Sequence, residues 1–148
     1  MQATHRPATL DDTHRLFELR RQSITKLAPR RSSIAEATTW AESLTVAGMA
    51  WKIRELEIWI AEVGGTAAGW GAIRGDRLEG LYANPDFAGQ GIGTGLLALL
   101  EGLMRGRGIA EICTESSANA ETFYFQHGFE RAGPPTSRGG LPMRKRLM

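Results

Sequence analysis

The chain predicts an α/β fold of the α+β kind, a mixed, mainly antiparallel sheet of about seven strands with helices on both faces. Three observations point there. Short apolar runs at residues 4–7, 56–63, 67–73, 77–83, 110–114, 129–132 and 141–147 are strand candidates, punctuated by Gly, Pro and Asp. Ile92, Leu96, Leu99, Leu100 and Leu103 recur at spacings of three and four, the stripe of an amphipathic helix. Gly89, Gly91, Gly93 and Gly95 alternate before and inside that helix's first turn. The 148 residues suit a single domain, residues 1–148, able to bury about two-thirds of its unfolded surface.

Along the chain, residues 4–7 form a short edge strand, and residues 8–12, ATLDD, supply N-cap chemistry for a helix whose buried side is Leu16, Leu19 and Ile24. Pro29 interrupts it. Ser32 and Ser33 then cap a second helix, carried by Ile34, Ala37, Ala41 and Leu44. Residues 56–63 and 67–73 read as antiparallel strands joined at Gly64-Gly65, and Gly75-Asp76 turns the chain into the strand at 77–83. Gly69, Gly71 and Gly80 weaken these strands, so close backbone approach or a bulge is expected. Arg105-Gly106-Arg107-Gly108 stops the long helix, residues 118–127 form a short one ending at Gly128, and GPPTSRGG is a flexible connection between the last two strands.

The glycine-rich stretch carries the chemistry. Four glycines in seven residues remove the Cβ atoms that would hold a ligand away, so free N–H groups of the first helical turn and the positive end of the helix dipole can converge on phosphate. A tight turn into a helix often uses glycine for steric reasons alone. That account leaves Gly93 and Gly95 unexplained, because glycine is the poorest helix former after proline. The common phosphate loops fit less well. No G-K-S/T is present, which removes the lysine and the magnesium-binding hydroxyl of a P-loop. A G-x-G-x-x-A over Gly93, Gly95 and Ala98 follows Asn-Pro-Asp-Phe-Ala-Gly-Gln instead of a hydrophobic strand.

Composition excludes several classes. With 42% hydrophobic and 23% charged residues and no apolar run near the ~20 residues of a membrane span, a membrane role is not expected. The opening residues lack the apolar core of a signal peptide and Cys113 is the one cysteine, so a cytoplasmic location is the default expectation. Net charge is +2, with arginines scattered and no aromatic interleaving, which argues against nucleic acid. Three histidines and one cysteine have no ligand spacing, so no metal is expected.

Residues 81–97, LYANPDFAGQGIGTGLL, resemble the acetyl-CoA motif Q/R-x-x-G-x-G/A of the GNAT superfamily of N-acyltransferases. Downstream, residues 119–129, NAETFYFQHGF, are similar to the family's second signature, NAxxFYxxxGF. Counted from Pro85, the Gln or Arg that opens the first motif falls at Ala88; Gln90 also satisfies the pattern, in a register read as coincidental. The resemblance implies acetyl-CoA as cosubstrate and an amine acceptor as partner; a homodimer is compatible with it. It implies that the strand before the glycine loop splays from its neighbour and that the pantetheine arm pairs with its backbone at Leu81 and Ala83. By the same resemblance Tyr82, Ala88, Gly89, Gln90, Gly91, Ile92, Gly93, Thr94 and Gly95 join the binding surface, with Asn119, Phe123 and Tyr124 from the second signature. The two helices preceding the main sheet would wall the acceptor pocket. There Arg21, Ser23, Lys26 and Trp40 could face the acceptor, although helix charges are usually solvated and tryptophan is usually core.

The implied reaction is acetyl transfer to an amine, which needs an acceptor that has lost a proton and a donor for the departing thiolate. The resemblance makes Tyr124 the donor. Residues alone would read it as a core tyrosine in a Phe-Tyr-Phe run. Glu79, the sole carboxylate in the strand leading to the loop, reads as base, as surface charge or as partner of Arg77, sharing a face with Leu81 and Arg77 by alternation. A water chain is the alternative base. His127 suits a helix end better than a base, and Cys113 suits a buried strand better than a nucleophile. A non-catalytic acyl-CoA-binding or sensor module is the competing class.

Overall fold

The computed structural model describes residues 2–27, 44–137 and 139–148. β1 (Thr4–Pro7) pairs antiparallel with β2 (Glu57–Val63), and the chain continues as a meander through β3 (Thr66–Arg74) and β4 (Arg77–Ala83). β5 (Glu111–Ser116), β6 (Glu130–Arg131) and β7 (Leu141–Arg146) complete a seven-stranded sheet of order β1-β2-β3-β4-β5-β7-β6 among the described residues. Of its neighbouring pairs, β4 and β5 are parallel and the others antiparallel. The expected seven strands and mixed sheet are therefore present. No described helix is long and apolar enough to cross a membrane.

Helices cover both faces. On one lie α1 (Thr13–Leu27) and α2 (Val46–Glu55), whose Leu16, Leu19 and Met49 pack with Ile58, Ile60, Trp70 and Ala72. The start of α1 is fixed by buried Asp12, which accepts from the Thr9 N–H at 2.8 Å and from both terminal nitrogens of Arg6 at 2.7 and 2.9 Å. Trp70 Nε1 donates to the Leu16 carbonyl at 3.2 Å, tying the sheet to the helix. The helix expected from Ser32 onward lies almost wholly outside the described residues. α2 was missed. Thr45 caps it, accepting from the Gly48 N–H at 3.0 Å, but it contributes one fully buried residue, Met49, too thin a stripe for periodicity to reveal.

On the other face lie α3 (Ile92–Gly106) and α4 (Glu121–Gln126). The buried stripe of α3 is Ile92, Leu96, Leu97, Leu100, Glu101 and Met104, while Leu99 and Leu103 are half-buried. The expected stripe was thus rotated toward its rim. A leucine-rich helix offers several overlapping stripes, and the sheet selects the one that meets its glycines. An added Cβ at Gly69 would stand 2.7 Å from Ile92 Cγ2, and one at Gly71 2.7 Å from Leu100 Cδ1. These glycines let α3 lie directly on β3.

Candidate active site

The expected bulge falls in the strand before the glycine loop. Ala72 pairs with Gly80 and Ile73 with Leu78, which leaves Glu79 as the extra residue of β4. The bulge resets the side-chain alternation. Leu78 and Leu81 both pack with the α3 cluster, although strict alternation would separate them. Glu79 stays with Arg77, whose Nε lies 3.3 Å from its carboxylate. Glu79 and Arg77 therefore share a face as expected, whereas Leu81 has turned to the other; the single-face reading did not allow for the extra residue.

Beyond the bulge β4 loses its other neighbour. β5 pairs with it only at Arg77↔Cys113 and Leu78↔Thr114, so residues 79–83 present their β5-side backbone to an open gap. A cleft of ≈ 740 Å³ occupies this place, walled by Glu79, Gly80, Leu81 and Tyr82 on one side and by Thr114, Ser116, Ser117 and Tyr124 on the other. Tyr124 is 6% exposed, its ring edge-on to Phe129 at 5.1 Å and to Phe123 at 5.4 Å. Burial pushes its phenol up to about 12; the Thr114 hydroxyl pulls the other way and Tyr82 adds to the rise.

The glycine loop follows at the end of β4. Pro85–Phe87 forms a 3-10 turn, with Asn84 capping it by accepting from the Asp86 N–H at 2.9 Å. Gly89 (φ 80°) and Gly91 (φ 74°) are left-handed, so the turn itself demands glycine there. Gly93 and Gly95 are ordinary helical residues. A Cβ at Gly93 would lie 3.5 Å from the Phe123 ring and one at Gly95 3.8 Å from His5, both comfortable contacts. The fold requires neither glycine, and space left in front of a helix's free N–H groups fits the approach of a phosphate group. Ala88 and Gln90 are exposed beside the loop.

The structure thus brings Glu79, Leu81, Tyr82 and Tyr124 onto one cleft and sets the loop residues beyond it, with Phe123 bridging toward Gly93. Asn119 lies in the turn before α4 and is not part of the cleft wall. His127 donates from Nδ1 to the Phe123 carbonyl at 2.7 Å, as a helix-end histidine should, and its Nε2 meets the Thr94 hydroxyl at 3.0 Å. Cys113 is half-buried, less enclosed than expected, and burial pushes its thiol up. On α1, Arg20 and not Arg21 reaches the cleft; Arg21 pairs with Glu18 at 3.7 Å. Ser23 is half-buried and off the cleft wall, while Trp40 and the Lys26 side chain lie outside what is described. The signal for Arg20 was available: it stands four residues from both Leu16 and Ile24, a charge inside an apolar stripe.

The profile of the acetyltransferase (GNAT) domain family matches residues 23–147. The fold is similar to that of a GCN5-related N-acetyltransferase from Rhodopseudomonas palustris, at 25% identity and a TM-score of 0.91 over 99% of this chain and 96% of that one. It is also similar to PaiA N-acetyltransferase from Thermoplasma acidophilum in complex with coenzyme A (22% identity, TM-score 0.82, 99% of each chain). A third likeness is to YncA, a putative acetyltransferase from Salmonella typhimurium with its cofactor acetyl-CoA (18% identity, TM-score 0.67, 100% of this chain and 95% of that one). No curated protein sequence matches the chain. With the family profile spanning most of its length and the splayed sheet in place, the chain belongs to the GNAT family of acetyl-CoA-dependent N-acetyltransferases.

Proposed function

We propose that residues 1–148 act as one domain that moves an acetyl group from acetyl-CoA to the primary amine of a small molecule or protein, by direct transfer in a ternary complex. The observation that carries this reading is the gap between β4 and β5, with unpaired backbone along one wall and the Tyr124 phenol and Glu79 carboxylate facing the same cleft. Acetyl-CoA would supply the acetyl group as an activated thioester. The backbone of Leu81, Tyr82 and Ala83 would hold the pantetheine arm as an added strand. N–H groups of Gly89, Gly91, Ile92, Gly93 and Thr94 would hold the phosphates, with Ala88, Gln90, Gly95, Asn119 and Phe123 flanking; the Gln90 and Gly95 N–H groups already donate to the Phe87 and Gly91 carbonyls at 3.2 and 3.0 Å.

Glu79 takes the proton that an ammonium must lose before its nitrogen can attack. Tyr124 holds its proton at Oη across the neutral range, because a phenol at about 12 does not ionise there. Such a phenol is a weaker acid than an ordinary thiol near about 8.5. Its contribution is therefore a hydrogen bond donated to developing negative charge in the gap, which is strongest where water is excluded.

The test is release of free thiol from acetyl-CoA over a panel of amines, with single-turnover rates for Tyr124→Phe. Loss of the donor should slow the chemical step by about 10²-fold or more while coenzyme A affinity holds. An unchanged single-turnover rate removes Tyr124 from catalysis. Tight acetyl-CoA binding with no amine acetylated would make the chain a non-catalytic acyl-CoA sensor.

A further inference from the structure

Arg20 is a cation on the cleft wall with no anion to meet it among the described residues. Among the described residues its Nε is buried and finds no hydrogen-bond acceptor. Its guanidinium carbon stands 5.2 Å over the centre of the Tyr82 ring, so an aromatic face holds the group in place. Three guanidiniums around the sheet are answered: Arg6 by Asp12, Arg77 by Glu79 and Arg107 by Glu57. Two carboxylates share the cleft wall with Arg20: Glu79 is engaged by Arg77, and Glu115 accepts from the Thr136 hydroxyl at 2.7 Å. Lys52 adds a second positive charge nearby; burial, and after it the charge of Arg20, hold the Lys52 ammonium below its usual range, with Glu79 pulling it back.

A desolvated donor left without an acceptor is costly, and two neighbouring like charges add to that cost. An arriving anion would relieve both. That anion is not a phosphate at the glycine loop. Tyr82 packs with Trp70 and the α1 side of the sheet, whereas the loop opens α3 on the opposite face.

We propose that Arg20 binds a carboxylate of the acceptor, so that the amine acetylated here belongs to the amino-acid class. The proposal rests on the acetyl-transfer reading above. A guanidinium offers Nε and Nη donors in a planar fork that matches the two oxygens of a carboxylate, and its stacking on Tyr82 pre-orients that fork. The ammonium end of the same molecule is drawn to Glu79. The polar wall of the cleft thus suits both ends of an amino acid.

Two measurements test this. The first is calorimetric titration of the coenzyme A-saturated protein with the twenty N-acetylated amino acids and their methyl esters. The second is the KM for each amino acid against its decarboxylated amine, together with β-alanine against ethanolamine phosphate. At least one free acid should bind while its ester does not, and its amino acid should show a KM about tenfold or more below that of the matching amine. Arg20→Gln should weaken both by about 10- to 100-fold. The variant's unchanged coenzyme A affinity would report an intact fold, and Arg20→Lys should restore only part of the loss, since it returns the charge without the fork. Equal use of decarboxylated amines, an Arg20→Gln variant that handles acids like wild type, a preference for ethanolamine phosphate over β-alanine, or no acid bound at all would each overturn the carboxylate site. Acids that bind with no acetyl transferred would leave that site standing and sink the acetyl-transfer reading instead.

Discussion

Gly93→Ala asks whether a glycine serves the protein or its ligand. Gly93 is the second residue of α3, with helical φ, and the added methyl would make only a 3.5 Å contact with the Phe123 ring. Alanine is the better helix former by about 0.8–1 kcal/mol and narrows the unfolded ensemble, so the variant should gain roughly 0.5–1 kcal/mol. In a domain of this size that raises Tm by about 2–4 °C. The same methyl would stand where phosphate approaches the helix N–H groups, and coenzyme A affinity should fall about tenfold or more, near 1.4 kcal/mol. Gly91→Ala makes the contrast. At φ 74° the residue is left-handed, and alanine there should lose about 1–2 kcal/mol of stability whether or not a ligand binds. Thermal denaturation gives one number and titration calorimetry the other. A Gly93→Ala protein that is more stable and still binds coenzyme A with full affinity would refute the phosphate-cradle assignment.

Three further outcomes are expected. Ala88→Arg, at an exposed position beside the loop, should tighten coenzyme A binding a few-fold, about 0.5–1 kcal/mol, and lose the gain as salt rises; no gain at low salt would shift the motif's register to Gln90. Glu79→Gln should slow the single-turnover rate of acetyl transfer by about 10²-fold if Glu79 is the base, whereas a rate like that of wild type would leave it as the ion-pair partner of Arg77. Arg6 holds the Asp12 carboxyl at about 2 against the usual 3.8, so this group's stabilisation is complete above pH 3.8 and is lost as pH falls through 2. Asp12 is 3% exposed, and the contribution is about 2 kcal/mol; Asp12→Asn should flatten stability across that window, and equal acid sensitivity of the two proteins in acid-denaturation curves would discount the pair.

The strands were legible because each carries its own turn signal: Gly64-Gly65 and Gly75-Asp76 punctuate three antiparallel strands that pair with their immediate neighbours. The glycine loop and the Tyr124 segment were legible for a different reason, since both are contiguous motifs. What escaped was set by contacts between distant residues. The face of α3 that turns inward is chosen by Gly69 and Gly71 on β3, and no window over the helix alone contains that information. The bulge at Glu79 is a fact about two strands together, so alternation along one of them misassigned Leu81. Arg20 differs from Arg21 in sequence by its place in the Leu16–Ile24 stripe, but what that place meets, the Tyr82 ring, comes from a distant strand.

The divergence of β4 from β5 has a mechanical consequence. Strands β1 to β4 and strands β5 to β7 form two plates riveted at a single end, at Arg77↔Cys113 and Leu78↔Thr114, with the Cys113 N–H reaching the Asp76 carbonyl at 2.9 Å beside them. α3 crosses from the end of one plate to the start of the other, and its Leu97, Leu100 and Met104 pack with residues of both. Anything that lies in the wedge and bonds to its sides acts as a splint. Its binding energy then appears as resistance to unfolding, growing with the logarithm of ligand concentration, and the last amides to exchange in the loaded protein should flank the wedge instead of the centre of either plate.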